Sequence, residues 1–249
     1  LTKIEKRTKK KYQGGSQMRA ISAQSKSLSK LSGMRPLDLD GLERAYSQRR
    51  SEIIRRLEEF AEVGRTASDE RLFEELAFCI FTAGASAQMG LRSIERVRPV
   101  LIEGSKEDIE RALARTHRWP EARAAHVYQT RQYLKELCGL RLRQLLEGFK
   151  DPDQRRDFFA ANPKVRGLGY KEASHFLRNV GFRGYAILDK HVLASLFELG
   201  AIESPKPPSN KKRYLELEAK MKAFAEKVGI DFDELDLLLW YTKTGKILK

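Results

Sequence analysis

The residues best able to do chemistry are gathered in one stretch of the chain. Asn162-Pro163-Lys164-Val165-Arg166-Gly167-Leu168-Gly169-Tyr170-Lys171 runs into Glu172-Ala173-Ser174-His175-Phe176-Leu177-Arg178, and Ala186-Ile187-Leu188-Asp189-Lys190-His191 follows shortly after. Gly167 and Gly169 let the backbone turn tightly between a helix end and a helix start, with Leu168 as an anchor in the core. The free N–H groups at the head of the following helix can then grip a phosphate without reading a base. An ordinary interhelical turn would use the same residues. Lys171 falls in the first turn of that helix, where the dipole disfavours a cation. An apolar wall beside it would leave the amine uncharged and nucleophilic at neutral pH, although a surface lysine near a phosphate needs no such chemistry. His175 and Arg178 share its helix face at i+4 and i+7, opposite Ala173, Phe176, Leu177 and Val180, so the helix reads as basic on one side and apolar on the other. Asp189 has the sequence position of an N-cap. Its carboxylate could also stand beside the Lys171 amine. His191 reads equally as a helix-face histidine or a phosphate contact.

Charge points to the kind of partner. With 48 Lys and Arg against 34 Asp and Glu, the net charge is +14, which favours a polyanion, most simply nucleic acid. The excess is uneven. Residues 1–36 carry ten basic side chains and a single acid, Glu5, with too few large apolar residues to fold alone. They read as a disordered leader; a transit peptide or a nucleic-acid-binding arm has the same composition. No apolar run is long enough to span a membrane. Cys79 and Cys138 lie in helical patterns 59 residues apart, which suits buried thiols in a reducing compartment. Two cysteines cannot ligate a four-iron cluster, and no metal-ligand pattern is visible.

The elements that must hold these residues are helices. Leucine occurs 31 times against 20 for valine and isoleucine together, a ratio that favours helix over sheet. Apolar spacing predicts helices over 41–63, 70–83, 90–103, 106–115, 121–137, 140–148, 152–161, 170–180, 189–199, 210–228 and 232–242. The stripe Leu72, Phe73, Leu76, Ala77, Ile80 and Phe81 marks 70–83 as central and mostly buried. Start signals fall at Asp40, Ser105, Asn162-Pro163 and Ser209-Asn210. Trp119-Pro120 reads as a short loop, and the stiff stretch Ser204–Asn210 brings the last two helices back over the rest. The expectation is an all-α fold of two lobes with a cleft between them, spanning 37–249 behind the leader 1–36.

Taken together these motifs resemble a known family. Gly-Leu-Gly-Tyr-Lys-Glu-Ala, with an aspartate 18 residues after the lysine, is similar to the helix–hairpin–helix/Gly-Pro-Asp superfamily of DNA base-excision glycosylases. The longer string through Gly181, the segment Ala186–His191 and the chain end Leu237–Lys249 resemble its second, mainly archaeal-type subfamily of 8-oxoguanine DNA glycosylases, over about 38–249. The superfamily signature reads Ile187-Leu188-Asp189 here, keeping only the aspartate, as in that subfamily. The resemblance implies a bifunctional glycosylase and abasic-site lyase, with Lys171 the catalytic amine and Asp189 the catalytic carboxylate. It implies base recognition by Trp240 and by Lys249, whose terminal carboxylate can accept the N7–H that 8-oxoguanine has and guanine lacks. Gly167, Gly169, Tyr170, His175 and His191 are the expected DNA contacts. Gln88, in the loop Ala83–Gln88, resembles the residue that fills the hole left by an extruded base, although a plain polar loop would read the same. The implied partner is double-stranded DNA containing oxidised guanine. A monomer, without cofactor, working in the cytoplasm of a prokaryotic-type cell alongside the chromosome completes the expectation. A non-catalytic helix–hairpin–helix module of a repair complex is the competing reading.

Overall fold

Residues 36–248 are described by a computed structural model. The leader apart from Pro36, and Lys249, lie outside the described residues. Eleven α-helices and no strand occur among those described. They are α1 Leu39–Thr66, α2 Asp69–Thr82, α3 Ala87–Val97, α4 Lys106–Leu113, α5 Pro120–Cys138, α6 Leu142–Gly148, α7 Pro152–Ala160, α8 Tyr170–Asn179, α9 Lys190–Glu198, α10 Lys211–Val228 and α11 Phe232–Thr244. None is long and apolar enough to cross a membrane.

The caps explain most boundaries. Ser105 and Asn210 cap α4 and α10 as their positions predict. Two start signals are corrected. The first helix is capped by Asp38, whose Oδ1 accepts from Gly41 N at 2.7 Å, so Asp40 lies inside the first turn. No helix starts at Asn162-Pro163. The Asn162 side chain closes a local turn by accepting from Lys164 N at 3.0 Å, which draws the chain out of helical geometry. The helix predicted to run to 103 gives way to a single 3₁₀ turn over Arg98–Val100, where Pro99 has no N–H to continue the ladder.

Two apolar cores form two lobes. The first is built around α2, buried through Leu72, Phe73 and Glu75–Thr82, and draws on α3 through α8. The second gathers α9, α10 and α11 with Leu42, Ile53 and Phe60 of α1. Helix α1 runs along α11, so the Pro-rich stretch does return the last two helices to the body.

Between the cores runs an extended segment, Gly184–Asp189. In an all-helical protein such a segment has no strand to receive its amides, and buried N–H groups must be satisfied. Carboxylates take that place. Gly184 N donates to Asp233 Oδ1 at 2.9 Å, Ala186 N to Glu218 Oε2 at 2.9 Å, and Ile187 N to Asp236 Oδ1 at 2.8 Å. Each acid is paired in turn with an arginine: Arg183 with Asp233 at 2.9 Å, Arg156 with Glu218 at 2.7 Å, and Arg178 with Asp236 at 2.9 Å. Tyr214 completes the anchorage by donating its hydroxyl to Ala186 O at 2.6 Å.

Arg156 is 1% exposed and Glu218 5%, so removing one partner strands a buried charge. Arg156→Leu should lower the unfolding free energy by about 3–5 kcal/mol, read from urea denaturation. Arg156→Met with Glu218→Gln should recover much of that loss.

Candidate active site in the cleft

The hairpin joins α7 to α8 through residues 161–169. Gly167 sits at φ +82°, and a Cβ there would lie 2.7 Å from His126 Nδ1 and 3.1 Å from Ile80 Cγ2. Both the backbone angle and the close approach demand glycine. Leu168 packs against the first core, as its place between the glycines predicts. Gly169 is the N-cap of α8, and its N–H donates to Glu172 Oε2 at 3.2 Å. The amides of Leu168, Tyr170 and Lys171 have no acceptor among the described residues.

One cleft of about 1080 Å³ receives most of the expected site residues. Lys171, Asp189, Trp240, Gly169, Tyr170, His175, His191 and Gln88 all line it. Gly167 lies behind the wall and shapes the turn. Lys249 is outside the described residues; Leu248, its neighbour, lines the cleft. The first lobe supplies Thr82, Gly84–Gln88 and Arg118 beside the head of α8, and the second supplies the heads of α9 and α10 and the end of α11.

Asp189 is the N-cap that its position predicts, and it also lines the cleft. Its Oδ1 accepts from His191 N and Val192 N, each at 2.8 Å, and so caps α9. Oδ2 keeps no donor among the described residues and belongs to a cleft-lining side chain. Tyr170 donates its hydroxyl to Asp157 Oδ1 at 2.6 Å, and Lys211 holds the other oxygen of that carboxylate, which ties α10 to the hairpin. Trp240 meets the His191 ring edge to face at 6.5 Å between centroids. Burial lowers the His191 imidazole, against the pull of Asp189.

Two sequence expectations are corrected. Helix α8 has no outward basic face: Ala173 through Asn179 are all buried. Packed between α2, α7 and α1, it turns Arg178 inward to Asp236 and sets His175 edge-on to Phe78, at 5.5 Å. Only the first turn of α8 keeps solvent exposure, although His175 and Arg178 still line the cleft. Nor is Lys171 held against an apolar wall. Its Nζ pairs with Glu172 Oε1 at 2.9 Å. Cys79 is buried as expected, whereas Cys138 is only partly buried.

Sequence reasoning passed over Trp119, read only as part of a loop. The indole is 41% exposed, lies against Gly84, and is flanked by the guanidinium groups of Arg118 at 4.4 Å and Arg123 at 5.5 Å. Arg118 donates to Gly84 O at 3.1 Å and Arg123 to Ala83 O. The signal was an aromatic between two arginines directly before a helix-starting proline.

A glycine hairpin closing on a cleft that holds a lysine and a helix-capping aspartate defines the helix–hairpin–helix class of DNA glycosylases. Comparison with known proteins narrows this. Residues 53–230 match the family model described as 8-oxoguanine DNA glycosylase, and the chain belongs to that family. It is 40% identical over 204 residues to the 8-oxoguanine DNA glycosylase/AP lyase of Korarchaeum cryptofilum, covering 82% of this chain and 93% of that protein. The crystal structure of the 8-oxoguanine DNA glycosylase of Thermotoga maritima superposes with a TM-score of 0.75 at 37% identity, covering 85% of this chain and 98% of that one. The Methanocaldococcus jannaschii glycosylase/lyase, solved with a 15mer DNA containing 8-oxoguanine, gives a TM-score of 0.75 at 32% identity, over 84% and 99% of the two chains.

Gly167→Ala should weaken duplex binding about tenfold or more, because left-handed strain of about 1–2 kcal/mol adds to the His126 clash; fluorescence anisotropy measures it. A second expectation concerns pH. Burial pushes the Asp236 carboxyl up to about 7, although Arg178 and the Ile187 amide pull it down. The folded chain then holds a proton that an unfolded carboxyl, near 3.9, has released. This group's contribution to stability is present below about pH 4 and is lost as pH climbs through 7. Asp236→Asn should flatten the fall in Tm over that interval.

Proposed function

We propose that the protein is a base-excision repair enzyme that removes 8-oxoguanine from duplex DNA and nicks the strand at the resulting site. The observation that carries this reading is that Lys171 and Asp189 line one cleft at the head of a glycine hairpin. Backbone amides of the hairpin grip a DNA phosphate, and the damaged nucleotide swings out of the stack into the cleft. Trp240 offers a stacking face for the extruded base. Lys249, next to the cleft-lining Leu248, takes part in recognising the lesion. Gln88, Arg118 and Trp119, on the opposite lip, meet the strand that has lost its base pair.

The chemistry follows from one amine and one carboxylate. Uncharged Lys171 Nζ attacks C1′ as the bond to N9 breaks, and the departing base takes up a proton. Asp189 Oδ2 stabilises the positive charge that builds on the sugar. Opening of the sugar ring leaves an iminium between Nζ and C1′. Loss of a C2′ proton then expels the 3′ phosphate by β-elimination, and water releases the enzyme from the cleaved strand. Such an enzyme works where the chromosome is, in the prokaryotic cytoplasm. It acts as a monomer.

Lys171→Gln should abolish borohydride trapping of the protein on 8-oxoguanine duplex while leaving duplex affinity within a few-fold of the parent. Persistent trapping in that variant would remove Lys171 as the nucleophile. Binding without cleavage by the parent chain would favour the non-catalytic module instead.

A further inference from the structure

Lys171 does not stand free in the cleft. Glu172 reaches it with one carboxylate oxygen, Oε1, at 2.9 Å, while the other, Oε2, accepts from Gly169 N at 3.2 Å. A single side chain thus joins the amine to a hairpin amide. The Glu172 side chain is 14% exposed and that of Lys171 26%, so the bridge is partly shielded from water. Its two ends oppose the chemistry proposed above. Attack on C1′ requires the nitrogen lone pair, which a proton shared with a carboxylate occupies. Gly169 N–H is also one of the amides a DNA phosphate would use, and Glu172 already fills it.

A second observation concerns where the carboxylate can go. Arg123 of α5 is attracted by Glu172, and its Nε is buried without a hydrogen-bond partner. Its guanidinium is fixed on the other side by Ala83 O and the Trp119 ring. Other charged groups around the bridge are the Arg178–Asp236 pair and Asp189, which share the cleft. The Cys79 thiol, whose pKa is raised by burial, lies within electrostatic reach.

The geometry points to Glu172 as a positioning residue that ties back the Lys171 amine in the DNA-free protein and releases it when the DNA backbone takes the Gly169 amide. The inference rests on the lyase reading above. An arriving phosphate competes for the Gly169 N–H and repels the carboxylate from the same side. Glu172 swings toward Arg123 Nε as the anion, and the Lys171 ammonium, no longer held by a carboxylate, gives its proton to water, so that the lone pair is free only once a duplex is seated. A nucleophile guarded in this way would be spared from adventitious aldehydes between encounters with DNA.

The test compares Lys171 with and without DNA. Reductive methylation by formaldehyde and cyanoborohydride, followed by peptide mass spectrometry, reads the reactivity of Lys171 in the free protein. Single-turnover borohydride trapping on an abasic-site duplex reads it in the complex. Glu172→Gln should raise methylation of Lys171 about tenfold or more, the lower end of what an opposing charge at contact distance is worth. Trapping on DNA should change less than about threefold, because DNA has already removed the carboxylate in the parent. If methylation is unchanged and only Tm falls, Glu172 is merely a cap and the inference is wrong. If trapping collapses without faster methylation, Glu172 is a proton acceptor and the inference is equally wrong. Should Glu172→Gln not fold, Glu172→Asp keeps the charge on a side chain too short to span both partners, and it should methylate faster than the parent; equal rates overturn the idea. A parent protein that never traps on DNA would overturn the lyase reading instead, whatever methylation shows.

Discussion

The constraint on which the site depends is the need to satisfy the amides of an extended segment buried among helices. Gly184, Ala186 and Ile187 find their acceptors in Asp233, Glu218 and Asp236. Three acids so close to a core would be untenable without counter-charges, and Arg183, Arg156 and Arg178 provide them. Two of these arginines sit on the hairpin helices α7 and α8, and the acids on α10 and α11. The same contacts therefore fix the path of 184–189, the placement of Asp189 at its end, and the docking of one lobe on the other. Such pairs contribute little net stability compared with apolar packing, but breaking one is expensive. Their effect is to leave only one arrangement of the lobes without an unpaired charge.

Lys171 and Asp189 are accordingly positioned by different means. Lys171 stands in the first turn of a helix buried on nearly every side, so its backbone is rigid while its side chain reaches out. Asp189 is held by its own helix: two amides of α9 orient one oxygen and leave the other to the cleft. A fixed carboxylate needs no reorganisation when charge appears opposite it, which is the condition under which electrostatic stabilisation is most effective.

Much of this was legible in the sequence, and the rest failed for physical reasons. Helical spacing located the elements because apolar residues such as Leu72, Leu76 and Ile80 repeat at the period of a buried face. The hairpin and the capping role of Asp189 followed from glycine spacing and capping preference. The orientation of α8 did not. His175 and Arg178 are polar, and a periodicity argument turns polar residues outward; only the tertiary partner Asp236, 58 residues later, makes burial of Arg178 tolerable. The pairing of Lys171 with Glu172 was hidden for the opposite reason. Neighbours in sequence point apart on an ideal helix, and they meet here because Glu172 folds back over the first turn to reach Gly169. Trp119 gave a weak signal, since one aromatic in a loop carries no periodicity.

The division of the cores along the chain bears on how the molecule is made. The first is contributed by one uninterrupted stretch, Leu72 to Tyr185. The second draws on α1 at the beginning and on residues from Ala186 to Ile247 at the end. During synthesis the first lobe can condense while the ribosome is still working, whereas α1 must wait, its apolar stripe uncovered, until α9 to α11 have been made. The cleft closes with that final docking event, so a nascent chain without α9 to α11 carries the hairpin and Lys171 but not the opposite wall.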